Sequence, residues 1–470
     1  MNVLFQALSY FKTPEANNNE LILESVDKTK VLEDRKQCIG SKVDVFYGKD
    51  PFLVSMGKGQ YLFDENGRQF LDCISNVQHV GHCNPKVASR VYEQMLTTNC
   101  NIRFLSNKLT DAAKAILATL PSELDTVLFV NSGSEANDLA LRLARDYTKN
   151  TDVVCMDHAY HGHLISTMQI SPYKFDHGSS IPKPEWVHVT ATPDVYRGKY
   201  RLNDLDLSNE EKLVEMGTMY ANDLRKMVES EVKSQGRTVS AYIAEALQSC
   251  GGQIIPPKGY MSKVAKIIRS NGGVMIIDEV QTGFGRVGQK FWAHQLQDDT
   301  FVPDILTMGK PMGNGFPVAA VVTRKEIADC LGGEVGYFNT FGGNPVSCSA
   351  VLAVMEVLKE ENLLRHSEEM GTHFEEQLGK LKEKHQCIGD IRGVGMFWGL
   401  DLVLHRESRL PATELAVDLC FKLREEYGVL LNADGPHTNI LKFKPPLCFN
   451  KDDLEFAVSS LDKALYEMGY

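Results

Sequence analysis

Lys310 stands in the stretch DILTMGKPMGNG, just past a short apolar run and just before a glycine-rich turn. A lysine beside buried apolar residues can give up its proton and attack a carbonyl, which is what Schiff-base chemistry requires. Thirty-two residues upstream, GGVMIIDEVQTGFGR delivers Asp278 to the end of another apolar run. A carboxylate there is costly unless a cation or hydrogen-bond donors meet it. In TVLFVNSGSEAN, a third run ends at Val130 and is followed by Ser132, Gly133 and Ser134. Ser132 and Glu135 fit the capping-box pattern, and the free amides of a helix start with two hydroxyls beside them suit a phosphate. The fourth stretch is DHAYHGH, which sets His158, Tyr160, His161 and His163 after the run VVCM. Its histidine spacing invites a metal, but no set of carboxylate ligands accompanies it, and no metal is assigned. Tyr160 or His161 as a flat platform for a planar ring fits the polar turns around them better.

Taken singly, these are a surface lysine, a loop anchor, an ordinary strand-to-helix turn and a few loop histidines. Taken together they are a phosphate nest, a carboxylate able to keep a pyridine nitrogen protonated, a stacking side chain and an imine-forming lysine. Those are the needs of pyridoxal 5'-phosphate, part by part.

The elements that must position them follow from the apolar runs. Thr126 to Val130, Val153 to Met156, Trp186 to Thr190, Ala241 to Ala246, Val274 to Asp278, Ile305 to Met308 and Val318 to Val322 alternate with helical or polar stretches. Between the first two, Ala136, Leu139, Ala140, Leu143, Ala144 and Tyr147 recur at helical spacing. Short strands buried on both sides and interleaved with helices predict an α/β fold with a mostly parallel central sheet, whose ligands bind beyond the carboxyl ends of the strands. The sequence predicts a hairpin around Glu65-Asn66-Gly67. It also predicts a solvated helical excursion over Asn203 to Gln235, and a smaller α+β lobe after Pro345. The expected division is 1–75 as an N-terminal segment and hairpin packing with the small domain, 76–345 as the large cofactor-binding domain, and 346–470 as the small domain.

The 470 residues carry a net charge of -11 and no long basic block, which excludes a nucleic-acid binder as the principal role. Eleven cysteines without a CxxC pair point to free thiols. No apolar run is long enough to span a membrane, so no membrane role is expected. Residues 1–16 hold one lysine and no arginine, a poor composition for a mitochondrial presequence.

From about Val54 to the C-terminus, NSGSEAN, DEVQTGFGR, TMGKPMGNG and NTFGGNP occur in the order found in the class III, fold type I pyridoxal-phosphate aminotransferases, and the chain resembles that family. The resemblance implies a homodimer, or a dimer of two such dimers, with each active site at a subunit interface. It implies that Lys310 carries the cofactor and shuttles protons and that Asp278 partners the pyridine nitrogen. Ser132, Gly133 and Ser134 would cup the phosphate, with Tyr160 stacking on the ring and His161 beside it. Gln281 would lie near the phenolic oxygen, and Thr340 would reach the phosphate of the neighbouring subunit. Glu245, in AEALQSCGG, departs from the acidic residue followed by proline that many members carry, and is kept as a supporting contact.

Transaminases of the family generally place an arginine just ahead of PPL, where it holds a substrate carboxylate; this chain has Lys442 in NILKFKPPL. Lysine lacks the bidentate match. That variant, with PDVYRGKY, SCGGQIIPPKGY and GDIRGVGMFWGLDL, is most similar to the phospho-lyase branch, whose members act on phosphoethanolamine or 5-phosphohydroxylysine. The resemblance thus implies elimination of phosphate from a small phosphorylated amine, with phosphoethanolamine slightly preferred. The alternative is amine transfer to a 2-oxo acid by an ω-amino or alanine–glyoxylate type aminotransferase. Lys442, Lys444, Arg103, Arg286 and Arg197 are the candidate cations for the substrate phosphate. Family resemblance points to the mitochondrion, with the cytoplasm as the alternative.

Overall fold

The computed structural model describes residues 26–298 and 300–470. The presequence expectation for residues 1–16 lies outside them. The described residues divide into two compact units, one comprising 26–56 and 63–68, the other 57–62, 69–298 and 300–470. In the first, helix Lys28–Cys38 starts at Asp27, whose carboxylate accepts from the N–H groups of Thr29 and Lys30. The predicted turn is there too: Asp64 N–H donates to the Arg68 carbonyl at 3.1 Å, with Gly67 at φ +78°.

Strands β1 (Met56–Lys58), β2 (Tyr61–Phe63) and β3 (Gln69–Asp72) come first. They are followed by β4 (Thr126–Val130), β5 (Asp152–Met156), β6 (Val187–Thr190), β7 (Val239–Glu245), β8 (Val274–Asp278), β9 (Ile305–Met308) and β10 (Ala319–Thr323). The last are β11 (Ile388–Val394), β12 (Phe397–Leu402), β13 (Val429–Leu430), β14 (Asn432–Asp434) and β15 (Ile440–Phe443). The large sheet has the order β4-β10-β9-β8-β7-β5-β6. From β9 to β6 every pairing is parallel, and β10 lies antiparallel to both β4 and β9.

Every residue of β5, β7, β8, β9 and β10 is buried, because alternate side chains feed two different cores. Ile276, Ile243 and Ile305 pack with Ala136, Leu139, Ala140, Leu143 and Ala144 of helix Gly133–Thr148. Ile277, Ala244 and Leu306 pack on the other face with Val264 and Ile268 of helix Tyr260–Ser270.

The stretch Asn203 to Gln235 corrects the expectation of a wholly solvated excursion. Helix Glu210–Lys226 runs on through Met227–Val232, and Tyr220, Leu224, Val228 and Val232 are buried along one stripe. The charges that dominate its composition occupy the remaining face.

After Pro345, helices Pro345–Glu360 and Leu363–Lys384 precede an antiparallel sheet, β11-β12-β15-β14. Helix Leu363–Lys384 packs on β11, whereas helix Pro345–Glu360 packs on helices Pro85–Thr97 and Asn107–Leu117. The run Ile391 to Val403 is thus a hairpin turning at Gly395, where φ is +56°. Among the described residues no helix is long and apolar enough to cross a membrane.

Candidate active site

Three adjacent strands end level. Glu245 of β7 is in register with Asp278 of β8, which is in register with Thr307 of β9. Two carboxylates and, just past β9, Lys310 therefore arrive at one edge of the sheet, where a cavity of about 270 Å³ opens. Of the ten expected cofactor contacts, all but Thr340 line it. Thr340 is exposed.

Asp278 is held from three sides. Its Oδ2 accepts from Asn137 Nδ2 at 2.7 Å and pairs with His161 Nδ1 at 2.8 Å; its Oδ1 accepts from the Val280 N–H at 2.9 Å. Asn137 is itself fixed, donating to the His161 carbonyl and accepting from Thr307 Oγ1. His161 thus orients Asp278 rather than serving as a stacking face, and its Nε2 is buried without a partner among the described residues. His158 lies by a neighbouring cavity and His163 is exposed, so the histidines of the DHAYHGH stretch do not converge.

Glu245 is buried and accepts from the backbone N–H groups of Tyr160 at 3.0 Å and Ser249 at 2.9 Å. Burial pushes its carboxyl up to about 6, with His161 opposing and Asp278 adding to the rise. The proton is therefore held more tightly in the folded state, and the carboxylate's penalty develops as pH rises from the unfolded value towards about 6. Relative to Glu245→Gln, the wild type is expected to lose about 1 kcal/mol of stability across that window, and about 2 kcal/mol in all once pH passes well beyond both ends. Urea unfolding of both proteins at the two ends of the window checks this, and a pH-independent difference would refute it.

The turn before helix Gly133–Thr148 is built for an anion. Ser132 caps the helix through Glu135 N–H, while the Glu135 carboxylate reaches one residue further than the expected capping box, to Asn131 N–H at 2.6 Å. Among the described residues nothing accepts from the N–H groups of Gly133 and Ser134. A Cβ on Gly133 would lie 2.6 Å from Val280 Cγ1, and one on Gly162 (φ +138°) 2.6 Å from Ser134 Oγ. Glycine at both positions lets the backbone close around the cavity. Free amides, the braced Asp278, the half-buried Tyr160 and Lys310 on one cavity fit the phosphate, ring nitrogen, ring face and carbonyl of pyridoxal phosphate.

The candidate phosphate cations fare differently, and none of the five lines the cavity. Arg286 is fully buried and donates to the carbonyls of Pro445 and Met396, with His79 Nδ1 at 3.1 Å; it clamps backbone turns, and burial lowers its pKa to about 9. Arg197 forms a two-pronged ion pair with buried Asp401. Arg103 is exposed and stacks on Phe338 at 4.0 Å. Lys442 is paired with Asp434; burial works against its charge, but that carboxylate prevails and its pKa is raised. Lys444 sits directly behind the cavity wall, donating to Gln281 Oε1 at 2.9 Å and Ser249 Oγ at 3.2 Å.

Sequence reasoning missed Asn137, Val280 and Gly162 as site residues. Asn137 lies in the quoted NSGSEAN string, but only the tertiary fold brings it to Asp278, 141 residues away.

The family profile Aminotransferase class-III matches residues 44–465. The chain is 60% identical to ethanolamine-phosphate phospho-lyase homolog 1 of Caenorhabditis elegans, over 99% of both chains. It is 46% identical to the alanine–glyoxylate aminotransferase 2-like protein of Drosophila melanogaster, over 93% of this chain and 87% of that one. Among solved structures, a phospholyase from Arthrobacter in complex with phosphoethanolamine superposes with a TM-score of 0.85 at 36% identity, over 93% of this chain and 99% of that one.

Proposed function

The chain belongs to the class III aminotransferase family, a fold type I family, and from that premise we propose that it binds pyridoxal 5'-phosphate and eliminates inorganic phosphate from a small phosphorylated amine, phosphoethanolamine foremost. The observation that carries the reading is the fate of Lys442. Where the transaminases of the family offer an arginine fork to a substrate carboxylate, this chain has a lysine already neutralised by Asp434. A 2-oxo acid has no prepared holder there. Similarity to a phospho-lyase homolog and to a phospholyase complex supports the same choice.

When bound, pyridoxal phosphate supplies the carbonyl that condenses with an amine and the ring that accepts the electrons of a broken C–H bond. Lys310 Nζ removes the proton from the carbon bearing nitrogen. Asp278, braced by His161, Asn137 and Val280 N–H, would keep a proton on the ring nitrogen. The N–H groups of Gly133 and Ser134 would hold the cofactor phosphate at the helix start. The C–O bond to the substrate phosphate then breaks and phosphate departs with the electron pair. Hydrolysis of the remaining two-carbon unit yields acetaldehyde and ammonia, and no amino acceptor is consumed.

The reading extends to a homodimer. Thr340 is exposed between exposed Phe338 and Phe341, near Arg103, and that face suits a second copy whose cavity receives Thr340. To test the substrate, phosphate release is followed from phosphoethanolamine and from 5-phosphohydroxylysine side by side, without a 2-oxo acid. Turnover of phosphoethanolamine at the higher kcat/KM is expected; turnover of neither substrate would end the lyase reading.

A further inference from the structure

Lys444 is a buried lysine beside the site with no step of its own in the proposed reaction. Its ammonium has only donors to offer, so whatever it touches must accept. Ser249 Oγ spends its own hydrogen on Gln253 Oε1 at 3.1 Å and presents a lone pair to the lysine. Gln281 presents its Oε1, which also accepts from Asn76 Nδ2 at 3.3 Å. With its oxygen tied to two residues outside the cavity lining, the amide has one group left, Nε2, whose nearest partner is Cys250 Sγ at 4.0 Å. That contact is too weak to use up an amide's two hydrogens.

We propose that Lys444 is a positioning residue that fixes the Gln281 side chain with its oxygen turned back and its NH2 turned into the cavity, as donor to an anionic oxygen of the bound cofactor. The inference rests on the cavity being the pyridoxal-phosphate site. A residue without a donor at 444 removes the shorter of the two bonds that hold the amide oxygen and leaves Asn76 Nδ2, at 3.3 Å, alone to fix its orientation. The charge contributes as well: among the described residues no carboxylate forms an ion pair with Lys444, and the ionisable groups acting on it are Lys442, Cys250, Lys310 and Asp434. Burial, and then Lys442, press its pKa well below that of an ordinary lysine, which an anion in the cavity offsets.

The test uses the cofactor-loaded enzyme and reads the pH midpoint of the bound cofactor's visible absorption, apart from any turnover. Removing a positive charge and a donor from this wall favours the protonated nitrogen at Lys310, so Lys444→Met is expected to raise the midpoint by about one pH unit. Lys444→Arg is expected to restore it to within a few tenths. Gln281→Leu is expected to raise it too, and the double variant Lys444→Met/Gln281→Leu to go little beyond the larger single shift, because one residue acts through the other. Should Lys444→Met fail to load, Lys444→Leu, which likewise has no donor for Gln281, is read in its place. An unchanged midpoint in the Met variant, or shifts that add in full, overturns the proposal while leaving the cofactor site standing. A wild type that shows no visible band with pyridoxal phosphate overturns both.

Discussion

Lys310→Ala is expected to lower phosphate release on the order of 10⁴-fold or more while the protein stays folded. The two halves of that expectation have separate causes. Lys310 is only partly buried, and no carboxylate among the described residues pairs with it, so truncation leaves no buried charge behind. On the proposed reaction its loss would remove both the amine that carries the cofactor and the base at the reacting carbon, and no second lysine is among the residues that line the cavity. Thermal unfolding close to that of the wild type, alongside loss of turnover and of the visible band, is the predicted pattern. Turnover near the wild-type rate in a contamination-free preparation would show that another group does the chemistry.

Asp278→Asn is expected to cost both activity and stability. The native carboxylate accepts from His161 Nδ1 and Asn137 Nδ2 on one oxygen and from Val280 N–H on the other. Asparagine keeps the shape but turns one oxygen into a donor. In either orientation its NH2 meets a donor: Asn137 and His161 on one side, the Val280 amide on the other. An unmatched buried donor costs about 1–3 kcal/mol. On the proposed reaction the neutral side chain would also no longer hold a proton on the ring nitrogen, and turnover is expected to fall on the order of 10²- to 10⁴-fold. The visible band should persist in this variant, since Lys310 is intact. Persistence of the band with near-normal turnover would remove Asp278 from the mechanism.

The parts of the site legible in the sequence were those where a strand ends and chemistry begins. Asp278 and Lys310 stand at or just past buried apolar runs, and a parallel sheet brings such ends to one edge whatever the loops between them do. The nest was legible for the same local reason: a Ser-Gly-Ser turn leads into an amphipathic helix. What stayed hidden depended on long-range pairing. Arg197 and Asp401 are 204 residues apart, and nothing near Arg197 announces that its fork is already filled. Lys442 and Lys444 look alike in NILKFKPPL, yet one meets Asp434 and the other meets two neutral acceptors. The antiparallel β10, inserted between β4 and β9, is not set apart by composition from β5, β7, β8 and β9, because all five are buried on both faces. The buried stripe at Tyr220, Leu224, Val228 and Val232 was masked by the charges on the opposite face of its helix.

Lysis and amine transfer part at a single step, and their products differ in kind. The decisive measurement is the stoichiometry of phosphate, ammonia and acetaldehyde formed from phosphoethanolamine by the purified, cofactor-loaded protein, with and without an added 2-oxo acid. A lyase gives the three products in equal amounts, over many turnovers, with no response to the oxo acid. Amine transfer that stops after one turnover, resumes only when the oxo acid is supplied and releases no phosphate would contradict that reading, and would make Lys442 a carboxylate holder after all.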